Sequence, residues 1–223
     1  MRVFLNRRNI RLSAPTVHKY MNSELRLYAI VRPKRPNYRK GKPHKVFDNL
    51  IAQDFRANEI NRKWCTDFTY LFLTDGSIRY NCTIMDLHDR CAVASITDKN
   101  ITSELAVRTV KKALESQPAI KGKLILHSDQ GSQYTSEEFT EFCRSVGITQ
   151  SMCKAGYPYD NAPMERYFNT LKNELIYLHH YHTDEELNAA VEEFAYVWYN
   201  HVRPHSFNGF LTPFEARYGI HCY

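Results

Sequence analysis

The sequence predicts an α/β domain, a mixed five-stranded sheet with flanking helices, and three observations carry that expectation. Residues 64–97 hold three apolar and β-branched runs separated by turn signals. Two short apolar runs follow, at 123–126 and 148–152, each after a stretch with helical spacing, and two more helical stretches close the chain. A basic segment over residues 1–63 precedes this domain, which is expected to fill residues 64–223.

Val17, Met21 and Leu25 recur at helical spacing within residues 13–30, with Ser13 or Thr16 as the start signal. This stretch reads as the last helix of a helix-turn-helix whose earlier part is missing. Three prolines and no apolar period make residues 31–43 an extended linker, and residues 44–63 are expected to form a short helix leading into the domain. From Trp64 to Thr74 the chain is rich in Thr, Phe, Tyr and Leu, and Asp75-Gly76-Ser77 turns it back into strands over 78–86 and 91–97. Thr102 or Ser103 then starts a helix reaching about Ser116, with Leu105, Val110, Ala113 and Leu114 on its buried side. The run Lys123–Leu126 fits a buried strand that ends at Asp129. Thr135 and Glu138 have capping-box spacing for a helix that Gly147 closes, and Ile148–Met152 is the fifth strand. A long helix is expected from Asn161 to about Tyr177, and a second capping box, Thr183 with Glu186, opens another up to about Tyr199. Three antiparallel strands, then helix, strand, helix, strand and two terminal helices match the order of the ribonuclease H-like fold.

Of 223 residues 43% are hydrophobic, the proportion of a globular chain rather than a disordered one. No apolar run approaches the ~20 residues of a membrane span, and no apolar segment follows the charged amino terminus, so a cytoplasmic protein without a membrane partner is expected. Six cysteines lie without a Cys-x-x-Cys pair, which argues against a zinc ribbon or a disulfide framework. The His179-His-Tyr-His182 tract has no cysteine at ligand spacing, and a structural or surface role is the expectation. Charge is unevenly spread: within a net +6, residues 1–63 carry 16 Lys and Arg against four acids, and the remainder carries 14 against 20. Such a basic block neutralises phosphates and releases counterions, giving salt-sensitive affinity for nucleic acid; a solubilising tail is the competing reading.

Asp67, Asp129 and Glu165 are the candidate catalytic and metal-ligating residues. Asp67 sits mid-strand among apolar and aromatic neighbours, where a carboxylate must be paired, protonated or bound to a cation. A half-exposed acid on an edge strand is the alternative, and Asp86 is a second strand acid that would replace it under a different strand order. Asp129 lies where a strand leaves the sheet, the end at which α/β sheets place ligands; a turn-capping Asp is its alternative. Between Asp129 and Glu165 lie 35 residues. Glu165 falls early in a helix whose face it shares with Asn161, one turn before, and Lys172, two turns after; Tyr167, Phe168, Leu171 and Leu175 take the other side. Three carboxylates drawn together repel, and some would hold protons at neutral pH unless divalent cations joined them. Oxygen donors suit Mg²⁺ or Mn²⁺, and two such ions about 3.5–4 Å apart activate an attacking oxygen and stabilise a leaving one in phosphodiester chemistry. His127 carries less weight, on the expectation that it points away from Asp129 as strand neighbours do.

In order along the chain, Trp64-x-Thr-Asp67-x-Thr, His127-Ser-Asp129-x-Gly-Ser-Gln-Tyr134-x-Ser, Asp160-Asn-Ala-x-x-Glu165, Leu171-Lys172-x-Glu174 and Tyr199-Asn-x-x-Arg203-Pro-His205, ending in Thr212-Pro213, form an ordered set. It resembles the transposases of bacterial insertion sequences whose catalytic core is shared with retroviral integrases, and the resemblance covers Trp64 to about Tyr218. It implies that Asp67, Asp129 and Glu165 bind two metal ions and that Lys172 contacts a phosphate near the scissile bond. It also implies the reaction: hydrolysis frees a 3′ hydroxyl at the element's end, and that hydroxyl attacks another phosphodiester in one transesterification step. The implied partners are double-stranded DNA, as element ends and target, and a homo-oligomer assembled on it. Met1 falls partway through the family's helix-turn-helix region, so end recognition is expected to be weak or supplied by a partner protein.

Asn161, on the stripe of Lys172, is a DNA-binding candidate with it. Lys154, Tyr157 and Tyr159 lie in the loop that in this family touches DNA, where Lys pairs with phosphate and aromatic rings stack on bases; a plain surface loop is the alternative for the tyrosines. Arg203 and His205 are expected at the DNA backbone, with capping of the preceding helix as the competing role. Asp89-Arg90-Cys91 and Cys153-Lys154-Ala155 stand where the family pattern has Ser-Arg. The same residues also suit a nuclease that cuts without joining, or a catalytically silent DNA-binding relic.

Overall fold

The computed structural model describes residues 1–28, 45–117, 120, 122–154 and 157–219. Two short helices, α1 (Arg2–Arg7) and α2 (Ala14–Lys19), open the chain, and α2 continues as a wider π-type turn over Tyr20–Glu24. Strands β1 (Lys63–Phe72), β2 (Ile78–Asp86) and β3 (Ala92–Asp98) form an antiparallel meander. The first turn is set by the Asp75 carboxylate, which accepts the Ser77 N–H at 2.8 Å. β4 (Leu124–Ser128) then joins β1 in parallel and β5 (Ile148–Met152) joins β4, giving the order β3-β2-β1-β4-β5. Parallel neighbours need crossovers, which α3 (Ser103–Ser116) and the pair α4 (Ser132–Thr135) and α5 (Glu137–Ser145) supply.

Alternation along the strands decides what each sheet face buries. Trp64, Ile84 and Ala94 face α3 and α5, in a cluster with Val110, Phe139 and Cys143. Cys65, Met85 and Ala92 face the opposite way, against Met164, Tyr167, Phe168 and Leu171 of α6 (Ala162–Leu171). The same face continues outward through Leu71, Leu73 and Tyr181 to Leu187 and Val191 of α7 (Asp184–Glu193), which runs on as a π-type helix over Phe194–Val202. Among the described residues, no helix is long and apolar enough to cross a membrane.

The mixed five-stranded sheet and its helices stand as the sequence predicts, with differences at the element ends. Residues 45–62 form turns, not the expected short helix. Asn49 is the physical reason: its side-chain oxygen accepts the N–H groups of Ile51 (3.2 Å) and Ala52 (2.8 Å), which offers the backbone a partner other than a helical carbonyl. The linker expected over 31–43 lies outside the described residues. Thr135 does not cap α5; it ends the short α4, and Ser136 caps instead, accepting the Phe139 N–H at 3.3 Å. Glu138, the expected partner in that box, accepts a hydrogen bond from Ser103 on α3. The helix of Glu165 begins at Ala162 rather than Asn161 and continues as a π-type turn over Lys172–Ile176. The Thr183–Glu186 box forms as read, and Gly147 ends α5 at φ +74°.

A last helix, α8 (Pro213–Tyr218), lies beyond the expected elements and carries its own capping box, Thr212 with Glu215. Arg217 of α8 is buried and reaches Asp89 at 2.6 Å and Asp86 at 3.3 Å, while Asp86 also accepts the N–H groups of Asn61 (2.7 Å) and His88 (3.0 Å). Asp86 therefore cannot stand in for Asp67. It pairs with Trp64 and so faces α3, on the opposite side of the sheet from Asp67. The Asp89-Arg90-Cys91 departure is the turn of this cluster: Arg90 sits at φ +64°, stacked 3.8 Å from the Phe207 ring, with its guanidinium on the carbonyls of Phe55 and Leu87.

Candidate active site

Asp67 lies within β1 and Asp129 just past the end of the neighbouring β4. Cys65 of β1 and His127 of β4 are the last paired residues of the two strands, so each aspartate stands two residues beyond the end of that ladder. Both point to the face that α6 covers, because Cys65 packs there with Met164. From the other face the buried Tyr134 approaches both: its hydroxyl lies 3.1 Å from Thr66 Oγ1, and burial first, then Cys82, Asp67 and Asp129, push its pKa well above the usual phenol range.

Glu165 enters this end of the sheet on the first turn of α6. Asn161 fixes that helix to β1: it is buried, its Nδ2 donates to the Thr66 carbonyl at 3.2 Å, and its non-helical backbone starts the helix one residue late. Its Oδ1 is buried with no hydrogen-bond partner. Each aspartate uses one oxygen on the backbone, Asp67 Oδ1 accepting from Phe68 N at 2.8 Å and Asp129 Oδ1 from Gly131 N at 2.9 Å. A Cβ at Gly131 would stand 2.9 Å from the Asp129 carboxylate oxygen, so any larger residue there would push that side chain from its present position. Among the described residues, no three His, Cys, Asp or Glu side chains form a close group ready to hold an ion.

His127 stands two residues before Asp129 and so shares its face, contrary to the expectation that it points away. It touches no carboxylate oxygen. Its Nε2 lies 2.9 Å from the Asp160 carbonyl, which can only accept, so the proton belongs on Nε2 and Nδ1 accepts from Ser151 Oγ at 2.9 Å. Burial holds the ring's pKa below its usual value, which keeps it neutral in this role.

Asp160 is the residue the sequence reading passed over. Its buried carboxylate accepts from Asn49, Gln53 and the Lys154 N–H, each at 2.9 Å. Burial works to raise its pKa, but the Gln53, Lys154 and Asn49 hydrogen bonds and the nearby His127 outweigh it and hold the carboxyl below the usual range. His127 and Asp160 thus tie the segment between β5 and α6 down at its Asp160 end. Lys154 and Tyr157 are exposed on that segment, and the Tyr157 N–H donates to the Lys154 carbonyl at 3.2 Å. Lys172 is half-buried at the end of α6. Arg203 lies apart from the acids in a fork on Glu174, with three contacts of 2.8–2.9 Å. His205 accepts the Phe207 N–H through Nδ1 at 3.2 Å; burial first, then Arg203, Arg90 and Arg166, lower its pKa to about 4.

A mixed sheet of order β3-β2-β1-β4-β5 with helices packed on both faces defines a ribonuclease H-like core. Residues 57–158 and, in a second overlapping match, 146–213 fit the family described as Integrase core domain. The chain is 35% identical over 165 residues to the transposase for insertion sequence element IS904 of Lactococcus lactis, covering 74% of this chain and 64% of that protein. It is 34% identical over 176 residues to the insertion element IS600 uncharacterized 31 kDa protein of Shigella sonnei, with 79% and 64% covered. To transposase InsF for insertion sequence IS3A of Escherichia coli it is 33% identical over 168 residues, covering 75% and 58%. The chain thus spans less than two thirds of the length of these relatives. Among solved structures, the HTLV-2 integrase catalytic core domain in complex with magnesium superimposes with a TM-score of 0.56 at 20% identity, over 73% of this chain and all of that one. A chain of the simian T-cell lymphotropic virus intasome superimposes with a TM-score of 0.59 at 17% identity, over 97% of this chain and 70% of that one. The chain belongs to the integrase core family that includes these insertion-sequence transposases.

Proposed function

We propose that the protein is a DNA transposase, a metal-dependent polynucleotidyl transferase that cuts at element ends and joins the freed 3′ hydroxyl to target DNA. The observation that carries this reading is the position of Asp67 and Asp129, each two residues beyond the last pair of the β1–β4 ladder, with the Glu165 helix fixed to β1 by Asn161. The chemistry of the donors fits a hard divalent cation: three carboxylates, and the buried Oδ1 of Asn161, which has no hydrogen-bond partner. Mg²⁺ or Mn²⁺, two ions per site, would be held by Asp67, Asp129 and Glu165 and would supply activation of the attacking oxygen and stabilisation of the leaving one. Magnesium in the HTLV-2 core supports that assignment.

The chain's own residues orient and bind. Gly131 holds Asp129 through its N–H, Tyr134 bonds Thr66 beside Asp67, and Asn161 ties the start of the Glu165 helix to β1. Lys172 lies along the DNA backbone next to the site, whereas Asn161, expected there from the sequence, is buried on the Thr66 carbonyl and acts by fixing the helix; Lys154 and Tyr157 offer a cation and a ring to the strand that enters the site. Arg203 and His205 contact the backbone further out, Arg203 through the guanidinium edge that Glu174 does not cover. Residues 1–63 form the basic arm and 64–223 the catalytic core. The transposase relatives and the intasome support DNA as partner and an oligomer assembled on it.

Asp129→Asn and Glu165→Gln are expected to lower strand cleavage and joining at least ~10³-fold while DNA affinity stays within about twofold, the loss typical of removing one member of a concerted site. Gel assays on end-bearing duplexes, alongside filter binding, measure both; undiminished turnover removes the triad from the mechanism. A pre-cut oligonucleotide ending in a 3′ hydroxyl separates transfer from cutting alone, because only a transferase yields longer joined strands.

A further inference from the structure

The β1–β4 ladder ends at the pair Cys65 and His127, and both aspartates lie past it. Main-chain pairing of these two strands therefore stops short of the residues whose separation the site needs. Side chains take over beyond it, and they meet at Thr66.

Thr66 precedes Asp67 and, by the alternation of a strand, points to the opposite face, where it is fully buried. Its hydroxyl lies 3.1 Å from the Tyr134 hydroxyl, and the Cys82 thiol stands 3.7 Å from each of the two oxygens. Each proton of this triangle has an acceptor within it, so three polar atoms sit in an apolar layer without the cost of an unmade bond.

Tyr134 belongs to α4, the turn of helix that follows Asp129. Its N–H donates to the Gly131 carbonyl at 3.1 Å, and the Gly131 N–H donates to the Asp129 carboxylate at 2.9 Å. Phe68 and Phe139 flank the ring, with centroids 5.3 and 5.4 Å away, and the Tyr134 carbonyl accepts from Gln150 of β5 at 3.1 Å. Held at both ring and backbone, Tyr134 transmits position instead of absorbing it. From the other direction the Thr66 carbonyl accepts the Asn161 amide at 3.2 Å, at the start of the Glu165 helix. One residue is thereby joined to the segments of all three acids: to Asp67 along the chain, to Asp129 through Tyr134 and to Glu165 through Asn161.

Resting on the reading of those acids as metal ligands, we propose that Thr66 is a positioning residue of the site. Its hydroxyl bond to Tyr134 holds the Asp129 segment at one separation from Asp67, beyond the end of the strand ladder.

The test is calorimetric titration of Mn²⁺ into the full chain as wild type, Thr66→Val, Tyr134→Phe, the double variant, Thr66→Ser and Asp129→Asn, with urea midpoints measured in parallel. Thr66→Val and Tyr134→Phe each keep the shape and remove one oxygen, and each is expected to weaken Mn²⁺ about tenfold, the scale of losing a group that orients a ligand. Both remove the same bond, so the double variant is expected to lose about tenfold as well, and not the product of the two losses. Thr66→Ser gives up a buried methyl and keeps the hydroxyl: its urea midpoint is expected to fall while its Mn²⁺ affinity stays within about twofold of wild type. Wild-type affinity in either single variant, with Asp129→Asn losing it, overturns the positioning role and leaves a purely structural one. Losses that multiply in the double variant overturn the shared bond. Wild-type affinity in Asp129→Asn overturns the metal-site reading itself. If Thr66→Val does not fold, Tyr134→Phe carries the test alone, and unchanged affinity there overturns the proposal.

Discussion

A buried carboxylate and a half-buried imidazole can pull stability in opposite directions with pH, and Asp89 and His205 do so here. Burial pushes the Asp89 carboxyl up to about 6, against the opposing pull of Arg217, with Asp86 adding to the rise. The folded state then binds more protons than the unfolded chain between about pH 4 and 6, so this contribution is present at low pH and lost as pH rises through 6. Two pKa units correspond to about 3 kcal/mol. His205 runs the other way: lowered to about 4, it contributes stability present above pH 6.5 and lost as pH falls toward 4. Wild type is therefore expected to show a shallow profile between pH 4 and 6. Asp89→Asn leaves the histidine alone, and its urea-derived stability should rise with pH across that window. A flat profile in the variant shows that His205 does not titrate as described. Of these residues the sequence showed little, because burial of Asp89 depends on Arg217, 128 positions away. The three acids were legible for the opposite reason. Asp67 stands out as a charge inside a strand pattern, and Asp129 as an acid at a strand end before a glycine.

At the scale of elements, periodicity located every strand and the long helices, and side-chain hydrogen bonds moved their ends. Asn49 diverted residues 45–62 from helix, and Asn161 delayed α6 by giving its amide to Thr66. Helices α1 and α8 are six residues each, too short to display a period, although the Thr212-Pro-Phe-Glu215 box that opens α8 was present to be read. The segment between β5 and α6 depends on Asp160, whose partners Asn49 and Gln53 lie more than 100 residues earlier and so left no local signal. Asp160→Ala removes three hydrogen bonds at once. Amide exchange in residues 49–53 and 157–161 is expected to accelerate about tenfold or more, while the protection of β1 and β4 stays unchanged. Equal acceleration across the whole sheet would assign Asp160 to global stability instead of local anchoring.

For the molecule as a whole, the charge asymmetry puts affinity in one place and chemistry in another. Residues 1–28 carry Arg2, Arg7, Arg8, Arg11, Lys19 and Arg26 against Glu24. One of these is engaged with the core: Arg7 pairs with the buried Glu215 at 2.8 Å, an oxygen that also accepts the Thr212 N–H at 2.7 Å. The others are on the surface, where each phosphate they neutralise adds roughly 0.9 to the slope of log affinity against log salt. Deleting residues 1–28 is therefore expected to lower that slope by roughly four, with loss of affinity for every duplex sequence alike. The asymmetry also predicts what the deletion leaves intact, since Asp67, Asp129, Glu165 and the sheet that carries them lie outside it: at low salt and saturating DNA, cleavage per bound complex should stay within about threefold of wild type. Fluorescence anisotropy from about 50 to 200 mM salt reads the slope. An unchanged slope would mean that the arm keeps the chain soluble and leaves the phosphates to the core.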